Sequence, residues 1–126
     1  MNIKMIQYTD IPEDFIKQAV KDRLSFLTGD GVFYWGAYEE GRLVGCTCLV
    51  VYKNGRGKIK SNYVLKEFRG QGIFTELNAA CLSFAKGAGI TNITLNCLPD
   101  SARIHMKKGA EMYMEKKTIK YLVYRL

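Results

Sequence analysis

The residues of this chain whose types and spacing suit chemistry gather in one stretch, Val64-Leu65-Lys66-Glu67-Phe68-Arg69-Gly70-Gln71-Gly72-Ile73-Phe74. An apolar run precedes it and a helical period follows it, so the glycines fall in a turn between a strand and a helix start. Such a turn brings unpaired backbone N–H groups and the positive end of a helix dipole to one point, which suits a phosphate. Gly70 and Gly72 let an oxygen approach backbone where a Cβ would intrude, and Arg69 adds a fixed positive charge. Two better-known phosphate loops are excluded. Thr75 stands where a third glycine would complete G-x-G-x-x-G, and no Gly-Lys-Ser/Thr follows.

Other reactive side chains are few. The chain has a single histidine, His105, and four cysteines, Cys46, Cys48, Cys81 and Cys97, with no C-x-x-C pair. A four-ligand zinc site would need ligands from scattered positions, so no metal is expected. Cys97, at the end of an apolar run, is either an acyl-accepting nucleophile or a buried structural thiol, and the second is the commoner outcome.

The elements that must position the loop follow from periodicity. Ile3 to Thr9 reads as a strand, and Asp10-Ile11-Pro12 as a helix entry. Phe15, Ile16, Ala19, Val20, Leu24 and Leu27 recur every three or four residues, predicting an amphipathic helix over 12–28. Val32 to Tyr38 and Leu43 to Tyr52 form a hairpin about Glu39-Glu40-Gly41-Arg42, and Lys58 to Lys66 adds a third strand after Asn54-Gly55-Arg56-Gly57. The loop comes next. Ile73, Leu77, Ala80, Cys81 and Phe84 restore a helical period, Gly87 and Gly89 end it, and Ile90 to Cys97 is a short buried strand. Pro99-Asp100-Ser101 opens a second short helix, ended by Gly109, before strands at Glu111 to Lys116 and Thr118 to Arg125. The order is β-α-β-β-β-α-β-α-β-β.

Composition bounds the rest. At 126 residues, 48% hydrophobic and 25% charged, the chain suits one soluble domain, residues 1–126, needing neither disulfide nor structural metal for stability. The amino terminus is too acidic for a signal peptide and no run approaches the length of a membrane span, which reads as cytoplasmic with reduced thiols. Charge is uneven. Residues 1–40 hold 4 Lys/Arg against 7 Asp/Glu, whereas residues 41–126 hold 15 against 5. A basic half suits an anionic ligand or nucleic acid, and equally a solvated basic surface.

Three segments in order carry a family resemblance. Arg69-Gly70-Gln71-Gly72-Ile73-Phe74 fits the pattern Q/R-x-x-G-x-G/A except at Phe74, with Val64 and Phe68 in the usual apolar and aromatic positions before it. Trp35 to Gly45 looks like a hairpin between second and third strands, and Ser101 to Ala110 like a late helix whose common ending is Phe-Tyr-x-Lys-x-Gly-Phe. Together they resemble the GNAT superfamily of acyl-CoA-dependent N-acyltransferases over nearly the whole chain. The resemblance implies an α/β (α+β) fold with a mixed, mostly antiparallel central sheet flanked by helices.

It also implies acetyl-CoA as cosubstrate and acetyl transfer to a primary amine by direct attack. The pyrophosphate would lie on the N–H groups of Gln71, Gly72, Ile73 and Phe74, beside Phe68, Arg69 and Gly70, and the pantetheine against backbone around Val64 and Lys66. Asn96 and Ser101 would flank the cofactor mouth, although for Ser101 capping of the short helix is the simpler explanation. A backbone N–H near Val64 would stabilise the oxyanion. His105 falls where the family usually has the tyrosine that protonates the departing sulfur; a Ser-x-x-Leu-His variant occurs in phosphinothricin-type members, and histidine can transfer that proton.

The base has no obvious candidate. The third strand of the meander offers Lys60, Ser61, Asn62 and Tyr63 with no carboxylate before Glu67, leaving a water relay, Asp30, Glu39 or Glu40. The acceptor is a small-molecule amine or a protein lysine. A basic nucleic-acid-binding or nucleic-acid-modifying protein on this scaffold, and a non-catalytic acyl-CoA binder, are the alternatives. The final strands, Glu111 to Leu126, suggest a homodimer because an edge strand needs cover.

Overall fold

The computed structural model describes residues 1–126. Its elements run β1 (Asn2–Ile6), α1 (Glu13–Lys21), β2 (Val32–Glu39), β3 (Arg42–Val51), β4 (Arg56–Val64), α2 (Ile73–Gly87), β5 (Asn92–Cys97), α3 (Pro99–Lys107), β6 (Glu111–Lys116) and β7 (Ile119–Arg125). Short 3-10 turns occupy Tyr8–Asp10 and Lys66–Phe68. The order is the one read from the sequence.

Helix α1 is shorter than the 12–28 span its apolar period suggests. Pro12 supplies a fixed φ of −61° at its entry, with Glu13 and Asp14 in the first turn and Lys21 in the last, all complementing the helix dipole. The helix stops because Arg23 takes a φ of +67°, a left-handed conformation that breaks the ladder. Leu24 still packs on the core, while Leu27 is held outside the helix by Tyr34. The Tyr34 hydroxyl donates to the Leu27 carbonyl at 2.7 Å and accepts from its N–H at 3.0 Å. The period marked residues that pack inward wholly or in part, Val20 excepted, rather than a continuous helix.

The strands form one seven-stranded sheet, ordered β1-β2-β3-β4-β5-β7-β6. Every neighbouring pair is antiparallel except β4 and β5. Glu40 and Gly41, at φ +48° and +79°, make the two-residue turn joining β2 to β3, the mirror-image type whose twist matches the strands. Phe33 and Trp35 meet Phe84 of α2, with ring centroids 5.1 and 5.3 Å apart, while Tyr34 turns to the other side against Phe26. This aromatic run is core.

The two longer-range helices cover opposite faces, as adjacent residues of β4 show. Tyr63 packs edge-on against Phe15 of α1 at 5.8 Å, whereas Val64 lies with Gly45 of β3 beneath Ile73 and Leu77 of α2. A Cβ on Gly45 would stand 3.1 to 3.3 Å from Ile73, Leu77 and Val64, so glycine there lets α2 seat closely. Strand β6 is exposed along its whole length and adds nothing to this core. No helix is long and apolar enough to cross a membrane.

Candidate active site

The turn between β4 and α2 leaves a run of backbone donors unused. Arg69 N–H bonds the Lys66 carbonyl, and the next amide with a backbone acceptor is Glu76, on Gly72. The N–H groups of residues 70 to 75 between them have none, which the geometry of a helix start requires for its first turn. Gly70 and Gly72 both sit at φ +82°, and nothing lies within 4 Å of where a Cβ would be. They are therefore needed for backbone conformation, with open space above them. Gly72 caps α2, so the free amides and the positive end of a helix dipole coincide.

Beside this turn the sheet opens. Parallel pairing of β4 with β5 covers only Arg56–Asn92, Gly57–Ile93 and Lys58–Thr94, after which Ile59–Val64 and Leu95–Cys97 run on unpaired to each other. Leu65 N–H bonds the Val44 carbonyl at 2.9 Å. Because peptide direction alternates along a strand, the N–H and C=O of Val64 face away from β3 and into the opening. One further feature of β4 is a bulge: Cys46 faces Tyr63 and Cys48 faces Lys60, so Ser61 and Asn62 oppose Thr47 alone. Ser61 takes a φ of +55°, and its hydroxyl donates to the Ser25 carbonyl at 2.5 Å. Bulges of this kind release backbone groups from the ladder next to a site. No residue type in Lys60-Ser61-Asn62 announces it.

His105 lies on α3 and is 1% exposed. Its ring meets Phe74 edge-on at 4.9 Å, and its Nδ1 lies 2.5 Å from the hydroxyl of Tyr124 on β7. Asn78 of α2, also buried, donates its amide N–H to the same hydroxyl at 3.2 Å, while its Oδ1 has no partner. The Tyr124 hydroxyl also lies 3.4 Å from the His105 carbonyl, so its one hydrogen has two acceptors within reach, Nδ1 and that carbonyl. Burial, with the Lys108 charge in second place, pushes the His105 pKa down to about 4, and burial lifts that of Tyr124 to about 12. At neutral pH the imidazole is uncharged. Phe74 keeps its ring turned inward to His105, which leaves its N–H in the run of free donors.

Arg69 turns back toward β4 instead of standing free over the glycines. Its Nε donates to the Val64 carbonyl at 2.9 Å, its guanidinium lies 5.4 Å from the centre of the Tyr63 ring, and it approaches Asp22 at 3.9 Å. Lys66 is exposed, and Phe68 is half-buried under the Arg42 guanidinium. Asn96 is exposed on β5 opposite Tyr121, and Ser101 is half-buried in α3. Ser101 does not cap that helix: Leu98 holds the cap position, Pro99 begins the helix, and no side chain bonds the first turn.

The thiols are poor nucleophiles. Burial raises Cys46 and Cys81 to about 12 and Cys48 to about 11, and it also raises half-buried Cys97. Two clefts, of about 430 and 420 Å³, lie at Met1–Lys4 with the β2–β3 turn and between α1 and Leu65; neither includes the glycine turn. The polar groups that the fold brings together near the turn are its backbone amides, the buried His105, Tyr124 and Asn78, and the Asp22–Tyr63–Arg69 group. Tyr124 and Asn78 escape a sequence reading because each sits in an ordinary apolar or helical context whose partners are distant along the chain; Asp22 is legible there as one of an acidic group with Asp10, Glu13, Asp14 and Asp30 that suits a polyamine or simply a solvated helix face, but its contact with Tyr63 is not.

Comparison with known proteins agrees with this geometry. A search of curated proteins returns no significant match. Among solved structures, a Klebsiella pneumoniae protein provisionally assigned as an acyl-CoA N-acyltransferase aligns with a TM-score of 0.83 at 21% identity, covering 99% of this chain and 97% of that one. PaiA N-acetyltransferase from Thermoplasma acidophilum, in complex with coenzyme A, gives 0.76 at 13% identity over 100% of both chains. A GNAT family acetyltransferase from Elizabethkingia anophelis with acetyl-CoA bound gives 0.70 at 14% identity over 99% of both. At such identities the likeness is one of fold. The family profile is more specific: it matches residues 2–107, and the chain belongs to the acetyltransferase (GNAT) family.

Proposed function

We propose that this protein is an N-acetyltransferase that moves the acetyl group of acetyl-CoA to a primary amine, on a small molecule or a protein lysine, by direct attack. It would act in the cytoplasm with its thiols reduced. The observation that carries this reading is the run of acceptor-free amides at residues 70 to 75, placed at the N-terminus of α2 beside the opening between β4 and β5. The residues fit a coenzyme A pyrophosphate, because the donors lack backbone acceptors, the helix dipole favours anions and the two glycines leave open space. The family neighbours with coenzyme A or acetyl-CoA bound support the choice of cosubstrate.

Bound acetyl-CoA supplies the thioester that the amine attacks. The protein's own groups then have separable tasks. Gln71, Gly72, Ile73 and Phe74 hold phosphate oxygens through backbone N–H groups, while Lys66, Phe68 and Arg69 border them. Val64 turns its N–H to the opening, while Arg69 holds its C=O, and that N–H would stabilise negative charge on the thioester carbonyl oxygen. Asn96 on β5 and Ser101 on α3 would flank the cofactor mouth. His105, neutral at pH 7, would act on the leaving sulfur as a hydrogen-bond partner rather than as a cationic acid.

A thermal melt with and without acetyl-CoA tests the reading, with Gly72→Arg as control. Stabilisation of about 2.7 kcal/mol at a hundred times the dissociation constant is expected for wild type, and none for the variant. Equal melts with and without millimolar acetyl-CoA in wild type would overturn it. The burial of His105 favours one second reading, an acyl-CoA binder without transferase activity. In that case acetyl-CoA stabilises the fold, yet no amine releases coenzyme A.

A further inference from the structure

Asp22 is the last residue held by α1, its N–H bonded to Ala19 and Val20 carbonyls, and its carboxylate reaches across to β4. There the Tyr63 hydroxyl donates to its Oδ2, the same oxygen lies 3.9 Å from Arg69, and Arg69 in turn holds the Val64 carbonyl. The chain after Asp22 is stapled alongside the β4 bulge by the hydrogen bond from Ser61 to Ser25. A carboxylate from another element is thus fixed one residue from Val64, on the α1 face of β4, opposite the face covered by α2. Its side chain is 55% exposed, and Oδ2 takes all of its protein contacts, so Oδ1 is free for an incoming donor.

We propose that Asp22 receives the amino group of the acceptor and takes up its proton, with Tyr63 as the residue that positions the carboxylate. The proposal rests on the acetyltransferase reading and gives it the missing base. The acceptor class is a primary amine that is cationic in solution, attracted by a carboxylate in the acidic part of the chain, where residues 1–40 hold 7 Asp/Glu against 4 Lys/Arg. The ammonium first releases one proton to solvent, which frees the nitrogen lone pair; as that nitrogen bonds the acetyl carbon, the C–S bond breaks, the second proton goes from nitrogen to the Asp22 carboxylate, and the thiolate takes a proton from solvent. A carboxylate can accept that proton because a nitrogen becoming bonded to the acetyl carbon is far more acidic than a free ammonium.

The test uses the full chain, n-butylamine, 1,4-diaminobutane and a lysine peptide as acceptors, and thiol release as the activity readout. Asp22→Asn keeps the Tyr63 hydrogen bond and should fold, yet lose at least 100-fold in kcat/KM for amines, while acetyl-CoA still raises its melting temperature as in wild type. Calorimetric binding of 1,4-diaminobutane to protein saturated with coenzyme A should weaken at least tenfold. Asp22→Glu should recover part of the rate, and Tyr63→Phe should lose about tenfold in kcat with little change in acetyl-CoA binding. An Asp22→Asn enzyme within threefold of wild type in kcat/KM overturns the role of Asp22 and leaves the acetyltransferase reading standing. A wild-type protein that binds acetyl-CoA but acetylates no amine and binds none overturns both.

Discussion

The Nδ1 atom of His105 and the hydroxyl of Tyr124 lie 2.5 Å apart in the interior, joining α3 to the last strand of the sheet. The bond matters because both groups are nearly sealed from water, His105 at 1% and Tyr124 at 3% exposure. Tyr124→Phe removes the hydroxyl from Nδ1 and from the Asn78 amide together, leaving two buried polar groups unpaired. The expected cost is about 2–4 kcal/mol, read from urea denaturation. A loss below about 0.5 kcal/mol would show that the pair contributes little.

The same burial makes stability depend on pH through His105. Its folded pKa, about 4, is below the ordinary 6.5, so the unfolded chain binds the proton more readily. Stability is therefore fully present above about pH 6.5 and declines as pH falls from there toward 4. The full loss is on the order of 3 kcal/mol from this group. Urea midpoints between pH 7.5 and 4 should trace that decline in wild type, and His105→Gln should flatten the part of it due to the imidazole.

Gly45 carries a different prediction, about packing. Alanine there introduces a Cβ at 3.1 Å from Ile73, 3.2 Å from Leu77 and 3.3 Å from Val64. The helix must lift slightly from β3, and Ile73 is the first residue of α2, so the shift is felt at the glycine turn. Destabilisation of about 1–3 kcal/mol is expected for Gly45→Ala, accompanied by weaker stabilisation of the fold by acetyl-CoA. Parallel melts of variant and wild type with the cosubstrate measure both effects.

Much of this arrangement was legible in the sequence, for physical reasons that also set the limit. The strand, glycine turn and helix at residues 56–87 announce themselves because Gly70 and Gly72 interrupt an alternating run just before a helical period resumes. Element order followed from similar local signals. Local signals could not stop α1 at Lys21, since Leu24 and Leu27 are half-buried and keep the period while Arg23 turns the backbone. Nor could they place the bulge at Ser61 and Asn62, which depends on register with β3. The Asp22–Tyr63 and His105–Tyr124 contacts join residues 41 and 19 apart in the chain, and only the fold brings them together.

Phe74 is the residue at which the glycine turn departs from its family pattern, and its ring is the contact between α2 and His105. The ring is half-buried and packs against the core, so Phe74→Ala should cost about 1–3 kcal/mol, less than full burial would imply. Its N–H is untouched by the change, and the helix start keeps its other free donors. Acetyl-CoA affinity should therefore stay within about threefold of wild type, measured by the cosubstrate-dependent rise of each protein's own melting temperature. The pH dependence of stability should shrink as well, because removing the ring lets water closer to the imidazole and moves its pKa back toward 6.5. If alanine instead tightens acetyl-CoA binding more than tenfold, the phenyl ring obstructs the site, and its inward packing on His105 is not the arrangement that the cosubstrate meets.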